Sequence, residues 1–438
     1  MSQDNQSYVM NFRISAFVLM MCSVAGLISC EQQKPEQPKE PEGLHAQTGV
    51  LPPWQEGALD IHFINTGTGE SAFIIMPDGT QMLVDMAGAL TDPSEEMYIP
   101  VRRDLSVSAG KWISDYVSKC MQWTGNDVID YVSITHYHGD HIGSYSTTLP
   151  DSQLGPYKMM SVADVLENQK IWKIVDRGYD FPYDMLATDV VGNYKSCIDW
   201  HSENKGLIQE KFEVSSVSQF GLRRNAAAYP DFRIKNIAVN GCLWKRDGSI
   251  VELFPDKSQF TGTGEAKEFS PAENHTCSVF KLSYGRFDYY AGGDISYNGY
   301  SSYAWKDAEL PVAQSVGKVE VMKANHHGSS DANRQETLSW LSPQVVVVNV
   351  WRNVQPRVAT LNNMISPLTN NGLTDVFTTN MTSVQEAGFG QAAERVLGKN
   401  GHVVIRVNPK GEEYYVYTLE DSDFSMHILK RFGPYRSR

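Results

Sequence analysis

His136, His138, Asp140 and His141 place four potential metal ligands within six residues. Imidazole nitrogen and carboxylate oxygen are donors that zinc, manganese and iron accept. The run Thr135-His136-Tyr137-His138-Gly139-Asp140-His141 directly follows Val128 to Ile134, an apolar stretch that reads as a strand. In a loop at a strand end, His136 and His138 can point to one side and grip one ion. Asp140 and His141 can grip a second on the other side of the turn. The chain holds only 11 His, so a surface loop that collects three of them by chance explains the pattern poorly. Asp294 ends a second apolar stretch, in Tyr290-Ala291-Gly292-Gly293-Asp294, and stands between this loop and the pair His326-His327. Paired ions acidify a bound water and neutralise oxygen charge that grows at phosphorus or a carbonyl carbon. No Ser or Cys sits in a nucleophile elbow, and this chemistry needs none.

Several elements must hold these residues. Ile61 to Ile64, Ala72 to Met76 and Gln81 to Val84 read as strands, the last two joined through Pro77-Asp78-Gly79. Lys111 to Trp123 reads as a helix with Trp112, Ile113, Tyr116, Val117 and Cys120 on one face. Lys170 to Val175 and Phe232 to Val239 are strands inside a long irregular region. Cys277 to Leu282 and Phe287 to Tyr290 form a hairpin at Tyr284-Gly285. Val319 to Ala324 and Val345 to Val350 are strands, and Arg334 to Leu341 is a short helix. His402 to Val407 and Glu413 to Tyr417 make a last hairpin around Pro409-Lys410-Gly411.

Ile14 to Leu27 is an apolar run behind a weakly basic start, too short for a stable membrane span, and reads as an export signal. Leu27-Ile28-Ser29-Cys30 resembles a bacterial lipobox, which implies lipid on Cys30. The expected organisation is a lipoprotein signal peptide (1–29), a flexible tether (30–57), a hydrolase domain (58–425) with an insertion at about 144–273, and a C-terminal tail (426–438). That makes the protein an exported lipoprotein on a membrane facing the periplasm or the cell surface. Lys and Arg number 38 against 51 Asp and Glu, a formal charge of −13. This disfavours a nucleic-acid substrate, whose phosphates call for cations. Cys120, Cys197, Cys242 and Cys277 form no C-x-x-C pair, and export leaves disulfides or buried thiols open.

The H-x-H-x-D-H pattern resembles the metallo-β-lactamase superfamily, and other positions agree in order. Leu83-Val84-Asp85 looks like the strand-end Asp that braces the ligand loop. Tyr290 to Asp294 looks like the strand whose carboxylate bridges two metals. Ala324-Asn325-His326-His327-Gly328-Ser329 looks like the His-His-Gly-Ser segment that supplies the last ligand. The turn Asn65-Thr66-Gly67-Thr68-Gly69-Glu70 is similar to that of the competence-protein (ComEC-like) and phosphorylcholine-esterase-like branch. The resemblance implies an α+β fold, the four-layer αβ/βα sandwich with two mixed sheets. It implies two divalent ions, zinc first and manganese or iron as alternatives, on His136, His138, Asp140, His141, Asp294 and one or both of His326 and His327. Asp140 and Asp294 would orient the attacking hydroxide, and His326 or His327 would assist the leaving group. Asn65 and Glu70 stand where the branch usually has Asp, and Gln355-Pro356 where His-Pro is common. For a third His on the first metal, His275 is the better candidate and His201 the weaker; an ordinary strand-edge His is the other reading of His275.

The function expected is a metal-dependent hydrolase of phosphodiesters or phosphate esters outside the cytoplasm, on small-molecule, lipid-linked or glycan-linked substrates. Trp172, Tyr179, Tyr183, Trp200 and Trp244 could cage a quaternary ammonium group or simply pack the core and rim. A nuclease acting on incoming DNA and a non-catalytic lipid-anchored binding protein are the alternatives.

Overall fold

A computed structural model describes residues 43–179, 188–260, 269–297 and 303–438. The expected signal peptide, the lipid-bearing Cys30, the tether up to residue 42 and Tyr183 lie outside the described residues.

Alternation along the strands decides the layers. In β1 (Leu59–Phe63), Leu59, Ile61 and Phe63 join one apolar cluster, while His62 turns the other way to Tyr116. β2 (Ala72–Ile75) and β3 (Gln81–Val84) alternate likewise: Ala72, Ile74, Met82 and Val84 face inward, and Phe73, Ile75 and Leu83 outward. These three strands run antiparallel, and β3 continues in parallel into β4 (Val128–Ser133), β5 (Lys170–Asp176) and β6 (Ile208–Lys211).

The chain then builds a second sheet from β7 (Phe232–Val239), β8 (Cys242–Trp244), β9 (Ile250–Glu252), β10 (Val279–Tyr284), β11 (Phe287–Ala291), β12 (Val321–Lys323), β13 (Val345–Val348), β14 (Asp375–Thr378) and β15 (Val396–Gly398). Its β11 to β15 half is parallel and the rest antiparallel. β16 (His402–Val407), β17 (Glu413–Leu419) and β18 (Ile428–Arg436) return to the first sheet beside β1. The orders are β18-β17-β16-β1-β2-β3-β4-β5-β6 and β15-β14-β13-β12-β11-β10-β7-β8-β9.

Three apolar clusters make four layers. One lies between the sheets. One packs α1 (Ala109–Thr124), α3 (Ser161–Asn168) and α4 (Thr188–Lys205) on the first sheet, with α2 (Gly139–Ile142) a single turn at the sheet edge. One packs α5 (Glu309–Val316), α6 (Gln335–Leu341), α7 (Val358–Met364) and α8 (Ser383–Phe389) on the second. Two mixed sheets face to face with helices outside form the four-layer αβ/βα sandwich that the sequence resemblance implies.

Three expected boundaries need correction. Residues 426–438 are no tail, because β18 pairs along β17. Its Lys430, Arg431 and Pro434 read as tail chemistry, but charge and proline are also how an edge strand is protected. Residues 43–57 are no free tether, since Leu44, Leu51 and Trp54 are buried in the first sheet's outer cluster; apolar residues spaced without a period left no strand or helix signal. The region 144–273 is no insertion around a finished core. It supplies β5 to β9 and two helices, and it looked irregular because strands such as Ile208–Lys211 are short and polar. Cys120, Cys197, Cys242 and Cys277 are free thiols.

Candidate metal centre

The ends of β1, β3, β4, β11, β12 and β13 meet at one edge of the two sheets, and each delivers part of the site. Asp85 ends β3. Its Oδ1 accepts from the Thr135 amide at 2.8 Å, and its Oδ2 accepts from Thr135 Oγ1 at 2.6 Å and faces His141 Nδ1 at 2.7 Å. One carboxylate therefore anchors the ligand loop and fixes the His141 ring, with Nε2 left to face the site. The turn after β1 lies directly against this loop. Gly69 has φ +143°, a Cβ there would lie 2.0 Å from the Asp140 carbonyl oxygen, and the Glu70 amide donates to that oxygen at 2.9 Å. Glycine is required by that approach.

His136 Nε2 and His138 Nδ1 converge to 3.0 Å. Around Asp294 Oδ2 stand His141 Nε2 at 3.2 Å, His327 Nε2 at 3.3 Å and His326 Nε2 at 3.9 Å. Asp140 Oδ2 lies 3.0 Å from His327 Nε2 and 3.8 Å from His141 Nε2. The other oxygen of Asp294 is taken by the buried ammonium of Lys323 at 3.2 Å, which also donates to the Gly293 carbonyl and pairs with Glu70. Only Oδ2 of Asp294 thus faces the histidines.

The His pair is divided by its surroundings. Both residues hold left-handed backbone, at φ +45° and φ +52°, a strained geometry that recurs at functional sites. His327 is buried, and its Nδ1 donates to the Asn349 carbonyl at 2.8 Å, which turns Nε2 to Asp140 and Asp294. His326 is a quarter exposed, and its Nδ1 faces Asp331 Oδ1 at 2.7 Å. The geometry makes His327 the inward donor and His326 a His–Asp pair on the open side.

The donors fit a divalent cation. His141 Nε2 and Asp294 Oδ2 are buried without hydrogen-bond partners, and atoms of Glu70, His141, Asp294 and His327 lie within 4.8 Å of one another. The electrostatics agree. Burial would lower the pKa of His141, but the carboxylates of Asp294, Asp85 and Asp140 hold it well above the ordinary value. Against burial, Asp294 and Asp140 bring His327 to about 9. Burial, with His141 and His138 adding to it, depresses His136. His141 and His327 therefore retain protons beside these carboxylates, and a cation satisfies the same carboxylates by displacing those protons.

A cleft of about 610 Å³ opens over this centre, lined by His138, Asp140, Asp294, His326, Ala89, Leu90, Met97, Asn274, Trp351, Arg352, Gln355 and Arg357 among others. His275 does not line it. Its Nδ1 accepts from the Ala272 amide at 2.9 Å, and burial lowers its pKa to about 4. The neighbouring Asn274 lines the cleft instead: its Nδ2 lies 3.3 Å from His326 Nε2, and its Oδ1 is buried without a partner. Glu273 ties this segment to the ligand loop by accepting from the Tyr137 amide at 2.9 Å and from Arg177. His201 lies elsewhere, against Tyr157 at 3.2 Å and beside Trp200. The described aromatics that could cage a quaternary ammonium group pack elsewhere instead. Trp172 lies beneath Arg223, Tyr179 stacks on Tyr137, Trp200 packs on Tyr157, and Trp244 lies near Lys235.

Behind the His pair, Glu309 is fully buried. It accepts from Asn325 Nδ2 at 2.9 Å, from the Asn333 amide at 2.5 Å and from Thr337 Oγ1 at 2.9 Å. Burial outweighs these donors and lifts its pKa to about 7. A carboxyl raised in the folded state contributes stability below its unfolded pKa near 4.5 and loses it as pH rises through 7. Glu309→Gln should therefore remove a loss on the order of 3 kcal/mol between about pH 4.5 and pH 8. Urea unfolding across that range checks it, and equal slopes in both proteins would refute the assignment.

No protein-family model matches the chain, and no curated protein does. Among solved structures, the 1.98-ångström crystal structure of Zn(2+)-bound PqqB from Methylobacterium extorquens matches at 8% identity and a TM-score of 0.31. The match covers 79% of this chain and 99% of that one. Likeness at this level carries no weight for the site.

Proposed function

We propose that this chain is a hydrolase of phosphate esters that works with two divalent ions, zinc first. The observation that carries the reading is the convergence of buried, partnerless donor atoms of His141 and Asp294 with His327 and Glu70, and of Asp140 with His327, at the floor of an open cleft. His136 and His138 would hold one ion. Asp140, His141 and His327 would hold the other, with Asp294 Oδ2 between them. When bound, such ions supply an acidified water and positive charge against the phosphoryl oxygens.

The chain's own residues do the rest. Lys323 keeps Asp294 from rotating, and Asp85 keeps His141 in one ring orientation. His326 turns Nε2 to the cleft side while Asp331 holds Nδ1, which places the ring to pass a proton to the leaving alcohol oxygen. Ala89, Leu90, Met97 and Val354 give the cleft an apolar wall that limits water beside the reacting groups. The sequence at Leu27 to Cys30 supports placing the enzyme outside the cytoplasm, lipid-anchored through Cys30, with substrates that include lipid-linked or glycan-linked esters.

The test is metal analysis of the purified full chain with turnover of bis-p-nitrophenyl phosphate, before and after chelation, with His138→Ala alongside. About two ions per chain are expected, with activity lost on chelation, restored by zinc or manganese, and absent in the variant. A protein that binds no ion and stays inactive with every metal supplied would instead be a non-catalytic binding protein.

A further inference from the structure

We propose that Arg352 and Arg357 form an anion subsite at the open side of the cleft, selecting phosphate esters that carry a second negative charge over zwitterionic, choline-type esters. The inference rests on the hydrolase reading and names its substrate class.

The cleft is unevenly charged. Its carboxylates are Asp140 and Asp294, both engaged at the floor by His327, His141 and Lys323. Its other charged side chains besides His138 and His326 are Arg352 and Arg357, and among the described residues no carboxylate pairs with either. In a chain of net charge −13, two arginines without counter-charges make this side of the cleft locally positive. A guanidinium offers paired N–H donors that match phosphate oxygens, and it stays charged at every working pH.

Both arginines sit on a braced frame. Gln355 Oε1 accepts from the amides of Trp351 and Arg352, at 3.2 and 3.1 Å. The Arg357 amide donates at 2.9 Å to the carbonyl of Gly328, the residue after His327. The loop that holds Gln355 where His-Pro is common in related sequences therefore presents arginines in fixed relation to the His pair. Trp351 is the one aromatic side chain of the lining, and the Arg352 guanidinium covers it at 4.1 Å. A quaternary ammonium needs an open aromatic face; here it would meet a cation instead. Leu90, Met97 and Val354 leave an apolar wall for the alcohol part of the ester.

The experiment compares the metal-loaded full chain with Arg352→Ala, Arg357→Ala and the double variant. Substrates are p-nitrophenyl phosphate, a dianion, bis-p-nitrophenyl phosphate, a monoanion, and p-nitrophenylphosphorylcholine, a zwitterion. The dianion is expected to be favoured over the zwitterion by about tenfold or more in kcat/KM. The double variant should lose roughly 10- to 100-fold on the dianion, through KM, and little on the zwitterion. Calorimetric titration with inorganic phosphate gives a readout that needs no turnover, and its affinity should fall in the same ratio. A wild-type preference for the zwitterion, or equal losses on all three esters, overturns the proposal. If no ester is cleaved, the hydrolase reading fails separately, and the phosphate titration decides: binding lost in the double variant supports the subsite, while unchanged or absent binding overturns it.

Discussion

Asp294→Ala is expected to lower kcat on bis-p-nitrophenyl phosphate by roughly 10³-fold or more and to reduce the ions retained per chain. Asp294 is 1% exposed, and its two oxygens have different tasks. Oδ2 faces His141 and His327 at 3.2 and 3.3 Å, where among the described residues no other carboxylate oxygen meets both rings as closely. Oδ1 is held by Lys323 at 3.2 Å. Burial alone would favour the protonated acid, but His327, His141 and Lys323 hold the pKa of Asp294 well below the carboxylate range. The site thus keeps a charged oxygen at its centre, and alanine removes it outright. Lys323→Met separates the two tasks. It leaves Oδ2 in place but frees the carboxylate to turn, so it should lower activity less than Asp294→Ala does. Metal analysis and turnover, measured together, check both variants. Asp294→Ala with its full ion content and kcat within tenfold of the parent would remove Asp294 from the centre.

The contrast between Asp294 and Lys323 shows which part of the site a sequence can display. Ligand chemistry restricts residue type, and His136 to His141 gather on one short loop, so their candidacy as ligands is legible without a fold. Lys323 acquires meaning only when the ends of β1, β11 and β12 meet. Read alone, a Lys ending Val321-Met322-Lys323 passes for a strand's solvent-facing residue, although the alternation puts it on the same side as Val321, which faces the other sheet. A charge on a core-facing position was the available signal. Asn274 was hidden differently. The search for a third imidazole led to His275, one residue beyond the side chain that lines the cleft. His326 and His327 were equivalent in sequence and became distinct through Asp331 and Asn349, partners set by the fold.

The fold was legible where alternation was strong. Gln81 to Val84, Phe232 to Val239 and His402 to Val407 begin and end as the pattern predicts. It was illegible where packing overrides composition. α4 carries Val190, Val191, Tyr194, Cys197 and Ile198 toward the first sheet, but Gly192 and Asn193 interrupt the helical signal. β14 and β15 are short strands whose place depends on β13 beside them.

The largest stability effect is expected from Arg406→Ala, which should cost about 3–5 kcal/mol. Arg406 and Asp60 face each other from β16 and β1, both fully buried, through Nε to Oδ1 at 2.8 Å and Nη2 to Oδ2 at 2.6 Å. Nη1 also donates to the carbonyls of Leu44 at 2.9 Å and Pro52 at 2.8 Å, which fastens residues 43–57 to the first sheet. Alanine strands a buried carboxylate, a buried acceptor at Leu44 and a part-buried one at Pro52 at once, whereas the intact pair is worth less than that loss implies, because burying it cost solvation. The pH dependence identifies the cause. Burial would raise the pKa of Asp60, but Arg406, with help from His62, brings it down to about 2. A carboxyl depressed in the folded state contributes stability above its unfolded pKa near 3.8, and that contribution disappears as pH falls through 2. In Arg406→Ala, burial prevails, Asp60 takes up a proton more readily than in the unfolded chain, and the sign reverses. The variant should then lose stability as pH rises from about 4 toward neutrality, while the parent's Asp60 contribution stays constant there. Urea unfolding at acidic and neutral pH separates this from a simple packing defect, which would lower stability equally at every pH and leave the two profiles parallel.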